Sequence, residues 1–345
     1  MIIFLLFISF LGSLVAMAKH YETFYAGPVS HNFDGARFYL KGHDSRLSVR
    51  KMIDFFLARP SVPEWHYQHI KTKKPAASVE KLRLTNIGHA TFLIQTNNVN
   101  ILTDPLYQDY LGPSFPDVIP KRAITPGVLF EDLPSIHLVL ITHDHQDHLD
   151  FDCVRKLAYK HNPVFCVPLG FKSLFFQNGI PIARVVEMDW YTTYRFNDTI
   201  QIFFEPAYHW CGRNFVFDKN KRLWGSFLIK NKTDTLFFSC DTDSFDGKIF
   251  EDIHKRFSPI KIAFLSIGGY KPCLFWNSVH ANPCKIMNIH RMLNPQWSVA
   301  MHYDTYQRIA DEAYKEPEQK IKQLEQEQNT NNFQWIPIGQ SWDVP

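Results

Sequence analysis

Apolar runs separated by turn residues dominate the chain and predict β-strands. They lie at residues 82–85, 91–95, 99–105, 138–141, 164–168, 182–186, 200–205 and 333–338. Segments with apolar positions at helical spacing lie at residues 151–161 and 171–178, whereas residues 306–328 are predicted to form a polar helix with a solvated face. This mixture of strands and helices predicts an α/β fold.

A faint internal repeat refines that expectation. Residues 91–105 have the pattern of a hairpin with an Asn-Asn turn, and residues 225–242 repeat the pattern. The apolar run at residues 260–266 then repeats the run at residues 138–141. Two copies of a hairpin, a crossover and a strand predict two facing mixed β-sheets. The matching strand ends carry Asp104 and Asp241.

The N-terminal part of the chain differs in composition from the rest. Residues 1–18 are apolar and end in Ala-Met-Ala, which predicts a secretory signal cleaved after residue 18 or, alternatively, an uncleaved membrane anchor. Residues 19–80 are predicted to be an extension packed on a domain formed by residues 81–345. Within it, residues 46–59 combine an apolar helical face with basic residues. That helix is expected either to dock on the core or to approach lipid headgroups.

Charge and cysteine content narrow the function. The net charge is only +3, and Lys and Arg are scattered, so no nucleic-acid partner is predicted. The six cysteines show no C-x-x-C spacing and are expected to be unpaired, with pairing in an oxidising compartment as the alternative. The 30 Phe, 14 Tyr and 8 Trp residues indicate either a bulky core or surfaces that meet something apolar. Composition alone does not choose between these two interpretations.

The strongest chemical signal directly follows the apolar run at residues 138–141. Three histidines and two aspartates occupy the segment His143-Asp144-His145-Gln146-Asp147-His148. In extended backbone, His143 and His145 point to the same side and can bind one cation. Asp147 and His148 diverge and can serve a second cation beside the first. The segment is therefore predicted to be a metal site, and Asp144 is expected to point away from it and to tolerate substitution.

Three further candidate ligands stand where other apolar strands end. His209 ends the run at residues 202–209, Asp241 ends the run at residues 236–241, and His302 ends the run at residues 297–302. Strand ends of this kind converge on one edge of a sheet. A carboxylate at position 241 can also bridge two cations, which a single imidazole cannot do.

The motifs resemble those of the metallo-β-lactamase superfamily, and more narrowly those of zinc-dependent phospholipases D that hydrolyse N-acylphosphatidylethanolamine. The resemblance spans about residues 30 to 340 and rests on motifs in the same order. These motifs are Asn86-Ile-Gly-His-Ala-Thr, Asn98-Val-Asn-Ile-Leu-Thr-Asp-Pro, Thr142-His-Asp-His-Gln-Asp-His-Leu-Asp, Pro206-Ala-Tyr-His-Trp-Cys-Gly-Arg, Leu223-Trp-Gly-Ser and Met301-His. The family implies an αβ/βα four-layer sandwich with a dinuclear zinc site on one edge.

The resemblance also implies roles for individual residues. The first zinc ion would be held by His143, His145 and His209. The second would be held by Asp147, His148 and His302, with Asp241 bridging the two. His280 matches a histidine near the family's active site, although a cap for the helix beginning near Pro283 is an alternative role. His89 is expected to lie beside the metal ligands.

Two positions depart from the family pattern. Gln146 stands where the family usually has an aromatic residue, and Cys240-Asp241-Thr242-Asp243 stands where Gly-Asp-Thr-Gly is usual. Neither change removes a ligand, so both bear on the substrate rather than on the metal chemistry.

The resulting hypothesis is an exported or membrane-associated enzyme with two Zn²⁺ per chain that hydrolyses a phospholipid phosphodiester. Asp147 and Asp241 would orient the attacking water, and the leaving group would take its proton from water or from His280. The phospholipid and a membrane surface are the expected partners, and a homodimer is an open alternative. A metal-dependent lactonase or other ester hydrolase of the same fold is one rival. A non-catalytic membrane-associated regulator with a structural metal is another.

Overall fold

The computed structural model describes residues 24–45, 64–112, 119–213, 217–239, 241–276 and 278–345. The predicted signal or anchor at residues 1–18 and the basic helical face at residues 46–59 lie outside these residues. Among the residues described, no helix is both long enough and apolar enough to cross a bilayer.

The described chain consists of short strands and a few helices. The strands are β1 (Arg83–Gly88), β2 (Thr91–Thr96), β3 (Val99–Thr103), β4 (Lys121–Arg122), β5 (Leu138–Leu140), β6 (Val164–Pro168), β7 (Val185–Met188), β8 (Thr192–Arg195), β9 (Gln201–Glu205), β10 (Ser226–Lys230), β11 (Thr235–Phe238), β12 (Ile262–Ser266), β13 (Trp297–Met301), β14 (Tyr306–Gln307), β15 (Phe333–Gln334) and β16 (Ser341–Asp343). The α-helices are α1 (Phe151–Lys160), α2 (Phe171–Gln177), α3 (Lys248–Phe257), α4 (Cys273–Trp276), α5 (Pro283–Leu293) and α6 (Glu316–Gln328). A 3₁₀ turn spans Phe130–Asp132.

The strands form two large mixed sheets, as the internal repeat predicts. The first has the order β16-β1-β2-β3-β5-β6-β7 and the second the order β15-β13-β12-β11-β10-β9-β8. In the first sheet, the β2–β3 hairpin is antiparallel and β5 joins β3 in parallel. In the second, the β10–β11 hairpin is antiparallel and β12 joins β11 in parallel. The two halves therefore share the same arrangement of hairpin, crossover and parallel strand.

Three apolar clusters divide the molecule into four layers. One cluster fills the space between the sheets, where the rings of Phe92 and Phe264 meet with centroids 5.0 Å apart. The outer face of the first sheet is covered by α1 and α2, and the outer face of the second by α3, α5 and α6. Because both faces of each sheet are covered, most central strands are buried continuously rather than at alternate positions.

Part of the N-terminal extension packs on these layers. Phe33 and Phe38 are buried in the cluster between the sheets. Asn32 Nδ2 donates to Asp189 Oδ1 at 2.7 Å. Many other aromatic side chains in the described part of the chain are also buried in the core, while several are exposed. The boundary at residue 80 stays a prediction.

Two sequence-based predictions near the C-terminus need correction. The predicted helix at residues 306–328 begins only at Glu316, because Tyr306–Gln307 instead pairs with β4 as strand β14. It is also only partly solvated, since Ile321 is buried against the second sheet's helical layer. The strand predicted at residues 333–338 ends at Gln334, and a separate strand, β16, pairs with β1.

Candidate metal centre

All seven predicted ligands meet at one edge of the sandwich. The segment 143–148 follows β5 of the first sheet. His209, Asp241 and His302 follow β9, β11 and β13 of the second sheet. Strands β9, β11 and β13 run in the same direction, so their ends lie on the same edge. The structure therefore brings together at one edge the residues that the strand-end argument selected from the sequence.

The first set of donor atoms comes from three imidazoles. His143 Nε2 lies 2.9 Å from His145 Nδ1, and His209 Nε2 lies 3.2 Å from the same atom. The Nδ1–H of His209 donates to the carbonyl of Val279 at 2.9 Å, so its Nε2 presents a lone pair. Three ring nitrogens thus face one another, an arrangement that a shared cation stabilises.

Burial keeps these three imidazoles neutral. It lowers the pKa of His143 and His209 well below the ordinary value, and neighbouring imidazoles add to the effect. Burial also lowers the pKa of His145 to about 4. Neutral imidazole is the form that binds a metal ion.

The second set of donor atoms combines imidazoles and carboxylates. Asp241 Oδ2 lies 3.1 Å from both His148 Nε2 and His302 Nε2. Asp147 Oδ2 lies 3.2 Å from His302 Nε2 and 3.7 Å from His148 Nε2. Asp241 thus contacts both histidines, and the donor atoms of His143, His148 and Asp241 all lie within 4.8 Å of one another. The two sets of donors therefore adjoin.

Opposite charges dominate the electrostatics of this second set. Burial alone would lower the pKa of His302, but Asp241 and Asp147 raise it to about 9. Burial would raise the pKa of Asp241, but His302 and His148 hold it well below its usual value. The carboxylates are therefore ionised and available to a cation.

The structure adds three supporting residues that sequence reasoning did not assign. Asp104 Oδ2 accepts the Nδ1–H of His148 at 2.8 Å, which turns His148 Nε2 toward Asp241. Asp104 also accepts hydrogen bonds from the amide and hydroxyl of Thr142. Ser266 Oγ donates to Asp241 Oδ1 at 2.9 Å. The internal repeat could have indicated two of these residues, because Asp104 matches Asp241 and Ser266 ends the strand equivalent to β5.

His89 and His280 both lie at this centre. His89 Nε2 is 3.2 Å from Asp147 Oδ2, beside the predicted ligands as expected. His280 Nε2 is 3.8 Å from Asp241 Oδ2. The alternative role of His280 as a helix cap is wrong, because Asn282 caps α5 by accepting the amide of Lys285 at 3.0 Å. Burial lowers the pKa of His280 to about 4.

Asp144 points away from the ligands, but it is not a tolerant position. Its carboxylate is fully buried and lies 2.7 Å from Arg222 Nη1, which is also fully buried. It accepts further hydrogen bonds from Cys211 Sγ at 2.8 Å and from the amide of Gly212 at 2.6 Å. Asp144 therefore forms a structural ion pair behind the metal loop, and we expect its substitution to be costly rather than mild.

The two departures from the family pattern occupy different surroundings. Gln146 is half-buried, as are its sequence neighbours His145 and Asp147. Asp243 is buried and forms an ion pair with Lys285 at 2.6 Å.

The cysteines in the described part of the chain are all free thiols, as predicted. Cys240 lies outside the described residues.

The donor set fits metal ions. Three imidazoles that burial keeps neutral, with His209 oriented by the Val279 carbonyl, adjoin ionised carboxylates and His148, which Asp104 orients. Imidazole and carboxylate are the ligands of catalytic zinc sites, and outer partners of this kind fix the ligating nitrogen. The centre is therefore a candidate His/Asp metal site.

Comparison with known proteins identifies the family. Residues 99–303, more than half of the chain, match the family described as the beta-lactamase superfamily domain. The chain belongs to the metallo-β-lactamase superfamily. Members share the αβ/βα sandwich seen here and commonly act as metal-dependent hydrolases, so the fold class predicted from sequence is confirmed.

Within this superfamily, the chain is similar to proteins from several sources. It is 32% identical over 313 residues to N-acyl-phosphatidylethanolamine-hydrolyzing phospholipase D 1 of Caenorhabditis elegans, covering 88% of this chain and 84% of that protein. It is 31% identical over 244 residues to the mitochondrial enzyme of that description from Saccharomyces cerevisiae, covering 70% of this chain and 51% of that protein. An isothiocyanate hydrolase from Delia radicum gut bacteria matches in fold, with a TM-score of 0.60, 17% identity and coverage of 76% of this chain and 100% of that one.

Proposed function

We propose that this metal-dependent hydrolase is a zinc phosphodiesterase that releases phosphatidic acid from N-acylphosphatidylethanolamine. The observation that carries the proposal is the pair of adjoining donor sets with Asp241 in contact with the second. The similarity over most of both chains to a phospholipase D named for this substrate supports it. In this proposal, His143, His145 and His209 would hold one zinc ion. Asp147, His148 and His302 would hold the other, and Asp241, which contacts His148 and His302, would contribute its carboxylate.

Individual residues have different roles in the proposed hydrolysis. Bound Zn²⁺ lowers the pKa of water and polarises a phosphoryl oxygen. Asp147 and Asp241 orient the water whose oxygen attacks phosphorus, and the bond from phosphorus to the headgroup oxygen breaks. Burial lowers the pKa of His280 to about 4, so at pH 7 the ring is neutral and has no proton to give to the leaving group. The departing headgroup oxygen then takes its proton from water.

An anionic substrate is favoured by a cation near the centre. The ring of Trp210 lies 4.1 Å from that of His145. Lys219 Nζ lies 4.9 Å from the Trp210 ring and donates to the carbonyl of Ser45. A phosphodiester carries a negative charge that this ammonium attracts, whereas a lactone does not. Gln146, between His145 and Asp147 in the metal loop, is the position where headgroup preference would be set.

Membrane association and export complete the proposal. An enzyme that cleaves a bilayer lipid needs apolar side chains at its surface. The described part of the N-terminal extension exposes Val29, Tyr39 and Tyr67. Co-sedimentation with phospholipid vesicles tests this part, and recovery of the protein only in the supernatant would contradict it.

The reaction is tested by incubating zinc-loaded protein with mixed micelles of N-acylphosphatidylethanolamine and identifying the products by mass spectrometry. We expect phosphatidic acid from the wild type and none from Asp241→Asn. Asp198→Asn is the matched control, because its fully exposed carboxylate pairs only loosely with Arg195 at 3.5 Å. It should retain wild-type activity.

A parallel lactone panel separates the rivals. Rapid lactone opening without phosphodiester cleavage would move the assignment to a lactonase. Absence of both activities in a fully metal-loaded protein would favour the non-catalytic regulator.

A further inference from the structure

Residues 278–282 form a short segment that lies directly against the metal centre. The carbonyl of Val279 accepts the Nδ1–H of His209 at 2.9 Å. The amide of Ala281 donates to the carbonyl of Thr242 at 2.8 Å, next to Asp241. His280 lies between these two contacts. The position of this segment therefore sets both the orientation of His209 and the place of His280.

The segment leads into α5, and one ion pair joins that helix to the turn that carries Asp241. Lys285 Nζ lies 2.6 Å from Asp243 Oδ1, with 26% of the lysine side chain and 3% of the aspartate side chain exposed. Asp243 Oδ2 accepts the amide of Phe245 at 3.2 Å, and the amide of Asp243 donates to the carbonyl of Tyr208 at 3.0 Å. Asp243 is thus held by contacts on several sides, and Lys285 is its charged partner.

We propose that the Asp243–Lys285 ion pair is a positioning device for the metal centre. By fixing the first turn of α5 against the turn at residues 241–243, it keeps the Val279 carbonyl within reach of His209 and His280 beside Asp241. Neither residue touches the donor atoms, so both act through the segment at residues 278–282. This inference rests on the metal-binding part of the proposed function and not on the identity of the substrate.

The physical basis is a buried carboxylate in close contact with a lysine. Replacement of the lysine leaves the Asp243 carboxylate without this partner in a site that water barely reaches, which favours movement of the turn toward solvent. Such movement lengthens the contacts from Thr242 to Ala281 and from Val279 to His209. Loss of a hydrogen-bond partner behind a metal-ligating histidine weakens metal binding by roughly 10- to 100-fold. Because this pair acts one step further away, we expect about a tenfold effect.

The test compares Lys285→Met with Lys285→Arg and with a matched control. Lys261→Met is the control, because Lys261 is also partly buried (24% exposed) and paired with an aspartate, Asp234, at the opposite end of β11. Zinc affinity is measured by competition with a chromophoric chelator. Amide hydrogen exchange is measured in peptides covering residues 278–284. We expect Lys285→Met to bind zinc about tenfold more weakly and to exchange faster at Ala281, whereas Lys285→Arg and Lys261→Met should resemble the wild type.

A double variant keeps the test decisive if Lys285→Met folds poorly. Asp243→Asn/Lys285→Met removes both charges, so no ion is stranded, yet the link between α5 and the turn is still lost. It should show the same weaker zinc binding and faster exchange with a wild-type thermal unfolding midpoint. Zinc affinity and Ala281 exchange equal to those of Lys261→Met in a folded Lys285 variant would overturn the proposal. Because neither readout uses a lipid, failure of the phospholipase assignment would leave this result interpretable.

Discussion

The ion pair between Asp144 and Arg222 provides the most quantitative test of how the metal loop is supported. Replacement of Arg222 by Met keeps much of the side-chain volume but removes the guanidinium that lies 2.7 Å from Asp144 Oδ2. Both side chains are fully buried, so Asp144 would be left as a buried charge without its cation. Breaking a buried pair in this way typically costs about 3–5 kcal/mol of unfolding free energy.

The sign of the pH dependence follows from the carboxylate. Burial alone would raise the pKa of Asp144, but the charge of Arg222, the hydrogen bond from Cys211 and the nearby cationic groups together offset this and hold the pKa below its usual value. The pair therefore stabilises the fold at neutral pH, and this contribution is lost as pH falls through the lowered pKa. Without Arg222 the pKa should rise, so the deficit of Arg222→Met should be largest at neutral pH and should shrink toward about pH 4.

The assay is urea unfolding of metal-free protein at several pH values. Arg195→Met is the matched control, because Arg195 is exposed and its contact with Asp198 is 3.5 Å. An exposed pair of this kind is worth less than about 1 kcal/mol. A loss below about 1 kcal/mol for Arg222→Met, or a loss that does not depend on pH, would refute the reasoning.

Three further predictions concern the metal, the core and the N-terminus. Elemental analysis of protein purified without chelator should give two metal ions per chain, as expected for two donor sets. The His302→Ala variant should bind only one metal ion. A wild-type value at or below one metal ion, unchanged by added zinc, would contradict the dinuclear centre. Phe264→Ala should lower the unfolding free energy by about 3–5 kcal/mol, because the buried Phe264 ring packs between the sheets against Phe92. A loss of about 1 kcal/mol in urea unfolding would instead mean that the two sheets move together and fill the cavity left by the ring. Mature protein from the native host should begin at Lys19, as N-terminal sequencing would reveal, whereas Met1 on the mature chain in a membrane fraction would favour the anchor.

The sequence predicted best those features that depend on local spacing and on repetition. The cluster at residues 143–148 occupies a single loop, and His209, Asp241 and His302 each follow an apolar run, so their convergence could be inferred from strand ends. The repeated hairpin predicted the pairing of β10 with β11 as well as that of β2 with β3.

Features that depend on distant partners could not be predicted in this way. Asp144 meets Arg222 across 78 residues of sequence, and nothing in the metal loop itself indicates that partner. The strand β14 lies in a polar segment whose composition favours a helix, and its pairing with β4 becomes apparent only in three dimensions. Likewise, Lys285 acquires its role from a contact with Asp243, on a different structural element.

The division of the donor atoms between the two sheets has a thermodynamic consequence. The loop after β5 supplies four of the predicted ligands from the first half of the fold, and His209, Asp241 and His302 come from the second. Each donor set includes residues from both halves, so a cation held by either set binds only to a chain in which both halves are folded and aligned. Its binding free energy then adds to the stability of the whole sandwich. At a free concentration a thousandfold above the dissociation constant, this linkage amounts to about 4 kcal/mol. The supply of metal in a compartment would then help to determine how much of the protein is folded there, in addition to how much of it is active.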